Sequence, residues 1–399
     1  MENKPIDRLI NYLDKNKNDF KYFKAPGRIN LIGGHTDYND GFVLPIAINR
    51  NITIACKLRK DNIIKVYSLD FDEEVKFNLD KIKYNANNEW IYYIQGVIKY
   101  IQLKINNNFK NKIKGIDMYV TGNIPSGSGL SSSAALELAV AEAFNSIFKL
   151  NLNKKELALI SQQAENEFVG VSCGIMDQFV SALGKKDYGL FIDCRTLDYN
   201  LIKLDFNKLK IVITDTKKKH SLVNSAYNDR IVECKKAVKF FDNKLEKNVK
   251  KLRDVSISDF KNYKDGLSKT IRNRAEHVIY ENQRVCKTRD ALKNNNLKEV
   301  GENLLESHNS LKNLYEVSSD ELDLLIEIAT SLDGVYGSRM TGAGFGGSTI
   351  NLVKENSVEK FEDEINKRYR NETGIEPDIY ILESSDGSSQ INMCGDFDG

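Results

Sequence analysis

Pro125-Ser126-Gly127-Ser128-Gly129-Leu130-Ser131-Ser132-Ser133-Ala134-Ala135 is a glycine- and serine-rich stretch between two segments of different periodicity. Before it, Ile116, Met118 and Val120 alternate as in a strand. After it, Leu136, Val140, Phe144 and Ile147 recur as on one face of a helix. A turn of this composition at a helix start leaves backbone N–H groups unpaired along the helix axis. With the positive end of the helix dipole they form a site for an anion, most often a phosphate. The glycines let the backbone approach a ligand closely, and the hydroxyls supply donors or a metal ligand. A serine-rich helix cap without a ligand is the other reading of the same residues. No Gly-x-x-x-x-Gly-Lys-Ser/Thr pattern occurs. The glycines are too closely spaced for a dinucleotide fingerprint, and no acidic residue ends a second strand at the usual distance. A phosphate bound here therefore belongs to another kind of nucleotide fold.

Composition narrows the field. With 399 residues the chain has room for two domains or one large one, and 41% hydrophobic against 29% charged residues is ordinary for a globular protein. A net charge of +2 exerts no global pull on nucleic acid. Six scattered cysteines without a Cys-x-x-Cys pair, and no histidine at ligand spacing, argue against a zinc site and a disulfide framework. Met1 to Lys21 lacks a hydrophobic signal core, and no apolar run reaches membrane-spanning length. The expectation is a cytoplasmic protein with small-molecule partners and neither nucleic acid nor membrane among them. The lysines between Lys244 and Lys251 read as a solvated face.

The periodicity predicts a first helix over Pro5 to Leu13 and strands at Ile52 to Leu58, Ile63 to Tyr67 and Val75 to Leu79. Helical faces follow from near Trp90 (Ile94, Val97, Ile98, Ile101) and at Leu157, Ile160, Ala164 and Phe168. Past Ile192 come a buried strand at Ile211 to Ile213 and a long amphipathic helix carrying Tyr227, Ile231, Cys234, Val238 and Phe241. Helical stretches near 275–293, 297–315 and 319–331 precede strands at Thr349 to Val353 and Ile379 to Leu382, which flank a helix around Val358 to Tyr369. Mixed elements in both halves predict two α+β lobes, 1–200 and 201–399. The polar tail from Ser384 is expected to fray.

Three further segments carry candidate chemistry. Ala25 to Gly41 gathers Arg28, Asn30, His35, Asp37 and Asn39 around four glycines, a set suited to a polyhydroxylated ligand; an Asx-rich turn is the plainer reading. Cys173-Gly174-Ile175-Met176-Asp177-Gln178-Phe179 holds one carboxylate among uncharged residues, a candidate base or metal ligand and equally a helix cap. Met340 to Ser348 is a second glycine-rich loop, able to close over a ligand or merely to turn a corner.

Taken together and in order, the segments Gly27 to Pro45, Pro125 to Ala135 and Gly342 to Gly347 resemble the GHMP kinase superfamily. The runs Gly27 to Asn39, Cys173 to Gln178 and Ser221 to Arg230 resemble its galactokinase branch, and the likeness extends from about Phe23 to Leu382. The resemblance implies a two-lobed α+β GHMP kinase fold. Its first lobe is of the ribosomal-protein-S5 second-domain type with a left-handed βαβ crossover, and its second is ferredoxin-like. It implies an enzyme transferring the γ-phosphoryl of ATP to the anomeric hydroxyl of α-D-galactose, the first committed step of galactose catabolism. By the same resemblance Asp177 is the catalytic carboxylate with Arg28 beside it. Gly34, His35, Thr36, Asp37, Gly174 and Tyr227 form the sugar site. Ser68, Trp90, Gly127, Ser128, Gly129, Leu130, Ser131, Ser132 and Ser133 meet ATP, and Ser133 and Glu165 hold Mg²⁺. A monomer is expected.

The sequence departs from that branch at Gly34, where the signature usually carries a glutamate that contacts a sugar hydroxyl. A changed sugar (galacturonate, N-acetylgalactosamine or L-arabinose) is the alternative this opens. A sugar- and ATP-binding sensor without catalysis is a third reading, which the intact Arg28, Ser131 to Ala135 and Asp177 oppose. Ser348 stands where many members have cysteine, with no consequence evident from the sequence.

Overall fold

A computed structural model describes residues 4–83, 89–105, 113–125, 127–204, 209–218 and 223–392. Ser126 and Ser221 of the segments above, and the cysteine Cys394, lie outside the described residues. The strands are β1 Lys21–Asn30, β2 Phe42–Val43, β3 Pro45–Leu58, β4 Ile63–Ser68, β5 Glu73–Asn78, β6 Ile116–Gly122, β7 Tyr188–Asp193, β8 Asp198–Lys203, β9 Leu209–Asp215, β10 Val335–Thr341, β11 Ser348–Lys354, β12 Asp378–Leu382 and β13 Ser389–Ile391. They form a six-stranded sheet in the order β13-β1-β3-β6-β4-β5, a four-stranded sheet β10-β11-β9-β12 and a three-stranded sheet β2-β7-β8.

Alternation along β3, β4 and β6 puts Ile54, Val66 and Met118 on one face of the large sheet, where helices Ile91–Lys104, Ser132–Phe148, Lys154–Ala164 and Met176–Leu183 cover them. The helix after the phosphate-type loop is buried over more than the single face its spacing predicts: Ala134 to Ala141 are all inside, so it runs through the core rather than along its surface. Helix Pro5–Leu13 covers part of the other face, with Leu9 and Leu13 against Tyr22 and Ala55. The four-stranded sheet is antiparallel throughout. Its order matches the expected ferredoxin-like arrangement. Helices Asp320–Thr330 and Val358–Thr373 bury Leu325, Ile328, Phe361 and Ile365 against Val212 and Val353. Among the described residues no helix is long and apolar enough to cross a membrane.

One alternative reading and one expectation need correction. The segment from Ala25 is not an Asx-rich turn at its start: β1 runs through it to Asn30 and pairs with β3, with a bulge between Pro26 and Arg28. A bulge swings the following side chain to a new direction, and here the residue so re-aimed is Arg28. Gly27 permits it, since a Cβ there would stand 2.6 Å from the Leu130 carbonyl oxygen. The tail is not frayed through Ile391. Ser384 bridges Ile48, and β13 pairs antiparallel with β1 along the second edge of that strand. Lys154 fastens the tail further, donating to Ser388 Oγ at 3.1 Å while pairing with Glu142 at 2.6 Å. The physical reason is that an unpaired β1 would present a free row of backbone donors and acceptors.

Shortening the chain to end at Glu383 removes that edge. The shortened protein is expected to melt at least roughly 4 °C below the full chain, whereas a chain ending at Asn392 melts with it. Calorimetric scans of the three proteins check this, and equal melting of all three would show the edge to be dispensable.

Candidate active site

The bulge in β1 aims Arg28 at the first turn of helix Met176–Leu183, where Asp177 stands. The guanidinium meets the carboxylate with two parallel bonds, Nε to Oδ1 at 2.7 Å and Nη2 to Oδ2 at 2.5 Å. Its remaining nitrogen, Nη1, donates to the Gly129 carbonyl at 2.5 Å. Ser131 donates its hydroxyl to Asp177 Oδ2. Arg28 is also held through its backbone, its N–H donating to Leu130 O at 3.0 Å. Three segments distant in sequence are thus tied at one point, and fork-to-fork pairing of this kind fixes orientation as well as charge.

One cavity is lined by the pair itself, and a second lies beside Ser132 and Ser133. The first, about 210 Å³, is lined by Asn30, Gly33, Gly34, His35, Asp37, Glu165, Ser172, Cys173, Gly174, Tyr227, Gly342 and Ala343 together with Arg28 and Asp177. The second, about 370 Å³, is lined by Ser68, Phe71, Trp90, Tyr93, Ser132, Ser133 and Leu136 among others. The first is ringed by hydrogen-bonding groups. The second is flanked by aromatic rings, Phe71 and Trp90 lying 5.9 Å apart, with Trp90 Nε1 donating to Glu73 at 2.9 Å.

Asp37 and Gly174 are pressed together: a Cβ on Gly174 would overlap the Asp37 carboxylate, so only glycine leaves room for it. Burial, and then the charge of Asp177, push the Asp37 carboxyl up to about 6. His35 lines the cavity but has both ring nitrogens engaged, Nδ1 with Tyr38 Oη at 2.9 Å and Nε2 with Ala343 O at 3.0 Å. Because Nε2 meets a carbonyl it carries the proton, and Nδ1 accepts from Tyr38. Burial, then the nearby His277, hold His35 down at about 3, so it is neutral at physiological pH. Its backbone φ of 61° is one of several left-handed conformations at the site, with Ser131 at 60° and Phe345 at 59°. Thr36 serves the loop instead of the cavity, its hydroxyl lying 2.6 Å from Phe42 O and 3.0 Å from Gly33 O.

Gly34 is gripped by its backbone. Its N–H donates to Glu281 Oε1 at 3.2 Å, and its carbonyl accepts from His277 Nε2 at 3.0 Å. A Cβ there would stand 2.9 Å from Arg339 Nη2 and 3.2 Å from Leu311, so the space a side chain would enter is filled from behind. Burial alone would raise the Glu281 carboxyl, but Arg284, His277 and Arg339 outweigh it and bring it down to about 2. Nothing local in the sequence marks Glu281, His277 and Arg339, which sit in ordinary amphipathic stretches.

Glu165 opens a π-type turn, Glu165–Val169, after helix Lys154–Ala164. Such turns gather at functional positions. Burial, and secondarily Asp177, raise its carboxyl to about 7. The Ser133 hydroxyl is near enough to offset part of that rise. Among the described residues no cluster of three or more His, Cys, Asp or Glu could hold a metal ion unaided. One carboxylate and one hydroxyl beside a phosphate-type loop fit Mg²⁺, which favours oxygen and completes its shell with phosphate oxygens and water. Of the loop residues, Gly127 (φ 77°) and Gly129 (φ 73°) adopt conformations that favour glycine. Ser128 is fully buried, with its hydroxyl on Pro125 O at 2.8 Å, and Leu130 is core. Ser348 donates to Ser128 O at 2.9 Å and so joins the two glycine-rich loops, a consequence its sequence position alone did not give. Ser68 accepts from the Phe71 N–H at 3.3 Å at the rim of the second cavity.

Comparison with known proteins bears on this arrangement. The galactokinase galactose-binding signature matches residues 13–58, the GHMP kinases N terminal domain residues 92–185 and the GHMP kinases C terminal domain residues 288–371. The chain is 44% identical to the galactokinase of Clostridium acetobutylicum, over 96% of this chain and all of that one. It is 41% identical to the galactokinase of Bacillus subtilis, over 94% and 95% respectively. The crystal structure of Lactococcus lactis galactokinase complexed with galactose superposes with a TM-score of 0.90 at 36% identity, covering 97% of this chain and 99% of that one. The Methanococcus jannaschii mevalonate kinase shares the fold at a TM-score of 0.65 and 21% identity, covering 92% and 98%. With its signature, both domains and nearly full-length relatives in agreement, the chain belongs to the galactokinase family of GHMP kinases.

Proposed function

We propose that this protein is an ATP-dependent galactose 1-kinase, producing α-D-galactose 1-phosphate and ADP. The observation that carries the reading is the Arg28–Asp177–Ser131 cluster, set where a cavity ringed by polar groups meets the loop that starts helix Ser132–Phe148. In this reading the sugar lies in the first cavity, against Gly34, Asp37, Gly174 and Tyr227, with its anomeric hydroxyl toward Asp177. The carboxylate orients that hydroxyl and takes its proton. Arg28 holds the carboxylate in place and faces the charge that builds on the transferred group. His35 contributes shape and a fixed wall, since its nitrogens are occupied. The nucleotide base lies in the second cavity beside Ser68 and Trp90. The phosphates lie along Gly127 to Ser133, whose backbone donors and helix dipole attract them. Ser133 and Glu165 hold Mg²⁺, which when bound neutralises phosphate charge. We place the lobe boundary near residue 200, with β13 returned to the first lobe's sheet.

Release of ADP with ATP and Mg²⁺ over galactose, galacturonate, N-acetylgalactosamine and L-arabinose tests the substrate. Turnover is expected to be strongest on galactose, and preference for another of these sugars would overturn the substrate assignment. Asp177→Ala is expected to lower kcat by about a thousandfold or more, with nucleotide affinity retained in a calorimetric titration. Retained turnover would remove Asp177 from its role.

Asp37 gives a pH signature. Its folded carboxyl sits near 6, so it is ionised above that pH and can accept from sugar hydroxyls, and it becomes protonated as pH falls through 6. Galactose affinity, measured by calorimetry without nucleotide or metal, is therefore expected to be level above about pH 7. Below pH 6 it should fall by up to about tenfold per pH unit. Asp37→Asn should abolish that limb, and a limb that persists in the variant would assign the titration elsewhere.

A further inference from the structure

Directly after Asp177 in sequence, Gln178 points the other way, into the core, where it is fully buried. Its single Nε2 lies 2.5 Å from Glu165 Oε2 and 3.0 Å from Glu137 Oε2. An amide nitrogen carries two hydrogens, so each carboxylate receives one and the side chain has one orientation left. We propose that Gln178 is a positioning residue for the cation site, held in place by Glu137. The proposal rests on the kinase reading above, in which Glu165 is a cation ligand.

The case begins with Glu137. It is fully buried on helix Ser132–Phe148, flanked by Leu136 and Leu138, and its Oε1 has no hydrogen-bond partner. The carbonyl oxygen of Gln178 is also buried without a partner. Polar groups sealed in a core and only half satisfied destabilise it relative to an apolar filling. Stability therefore does not explain why a glutamate and a glutamine occupy this position, whereas a requirement to hold a third group does.

That third group is Glu165, which needs holding. It begins a π-type turn, where regular helical hydrogen bonding gives way, so the helix does not by itself fix its side chain. Its Oε2 receives Gln178 Nε2 and, at 3.5 Å, the Cys173 thiol. Cys173 is itself clamped: its N–H donates to Asn166 Oδ1 at 2.8 Å, and its carbonyl accepts from Asn166 Nδ2 and Gln162 Nε2, each at 3.3 Å. With Oε2 committed to protein donors, Oε1 is the oxygen left for a cation near Ser133. Partners that orient a ligating carboxylate in this way typically matter 10- to 100-fold for metal affinity. The same helical turn thus serves two tasks: Asp177 faces the sugar, and Gln178 fixes the carboxylate that would hold the metal.

The test uses the full-length enzyme and Mn²⁺ as the probe, with free Mn²⁺ followed by electron paramagnetic resonance in the presence of a non-hydrolysable ATP analogue. Gln178→Met, similar in length but without donors, is expected to weaken Mn²⁺ binding by roughly 10- to 100-fold and to leave galactose affinity by calorimetry within about twofold of the wild type. Glu137→Met should shift Mn²⁺ affinity in the same direction. Glu137→Gln, whose amide oxygen still accepts from Gln178, should restore it. Glu165→Gln separates the two levels of the reading. If it weakens Mn²⁺ binding and Gln178→Met does not, the positioning role is wrong and the cation site stands. If Glu165→Gln has no effect, the cation assignment fails and the proposal falls with it. Loss of galactose binding along with Mn²⁺ binding in Gln178→Met would mark a general structural role and overturn the proposal. Should that variant not fold, the two Glu137 variants decide: equal Mn²⁺ affinity in both rejects it.

Discussion

The pairing of Arg28 with Asp177 is the constraint around which the molecule is arranged. The arginine side chain is 8% exposed and the aspartate 26%, so both charges are largely removed from water. Desolvating two ions is recovered only when geometry is good and the remaining donors and acceptors are satisfied. The fold meets that condition with separate elements. A bulge and a glycine turn β1 toward the loop, the Gly129 carbonyl takes the spare guanidinium nitrogen, and the Ser131 hydroxyl takes the spare carboxylate lone pair. Losing either partner would strand a buried charge, a change worth about 3–5 kcal/mol. Structural and chemical demands therefore fall on the same four residues.

The carboxylates near this pair show a second pattern. Asp37, Glu165 and Glu137 are all raised, each chiefly by burial. Arg28 already serves Asp177. Such crowding is unfavourable by itself and is relieved by donors or cations, which is the electrostatic character wanted where hydroxyl-rich and cation-bearing ligands meet. Behind Gly33 and Gly34 the balance is opposite. Glu281 is compensated by Arg284 and Arg339 and anchors both backbone N–H groups as a permanent anion.

What the sequence made legible follows from which interactions are local. The first helix, the strands from Ile52 to Asn78, and the helix from Val358 with the strands that flank it are marked by the spacing of their apolar residues. β1 was obscured because its functional residues disturb the alternation of a strand: Pro26, Gly27 and Arg28 look like a turn and in fact form a bulge. β13 was unreadable, since Ser389 to Ile391 make a strand only by lying against Tyr22 to Lys24. From contiguous motifs, Arg28, Gly34, His35, Asp37, Glu165, Gly174, Asp177 and Tyr227 come together at the first cavity. Glu281, His277 and Arg339 belong to no such motif, since they reach Gly34 from helix Lys269–Lys293 and from β10, and nothing local marks them. Glu137 did carry a signal, a lone charge within the apolar run Ala134 to Ala141, and so did Gln178, the neighbour of the candidate base.

Pairing β1 with residues 389–391 has a consequence for biosynthesis. The strand that carries Arg28 leaves the ribosome long before its outer neighbour, because the two lie far apart in sequence. Until residues 389–391 follow, the first sheet holds an open flank. The scaffold beneath the ion pair is therefore completed by a segment made well after the arginine itself.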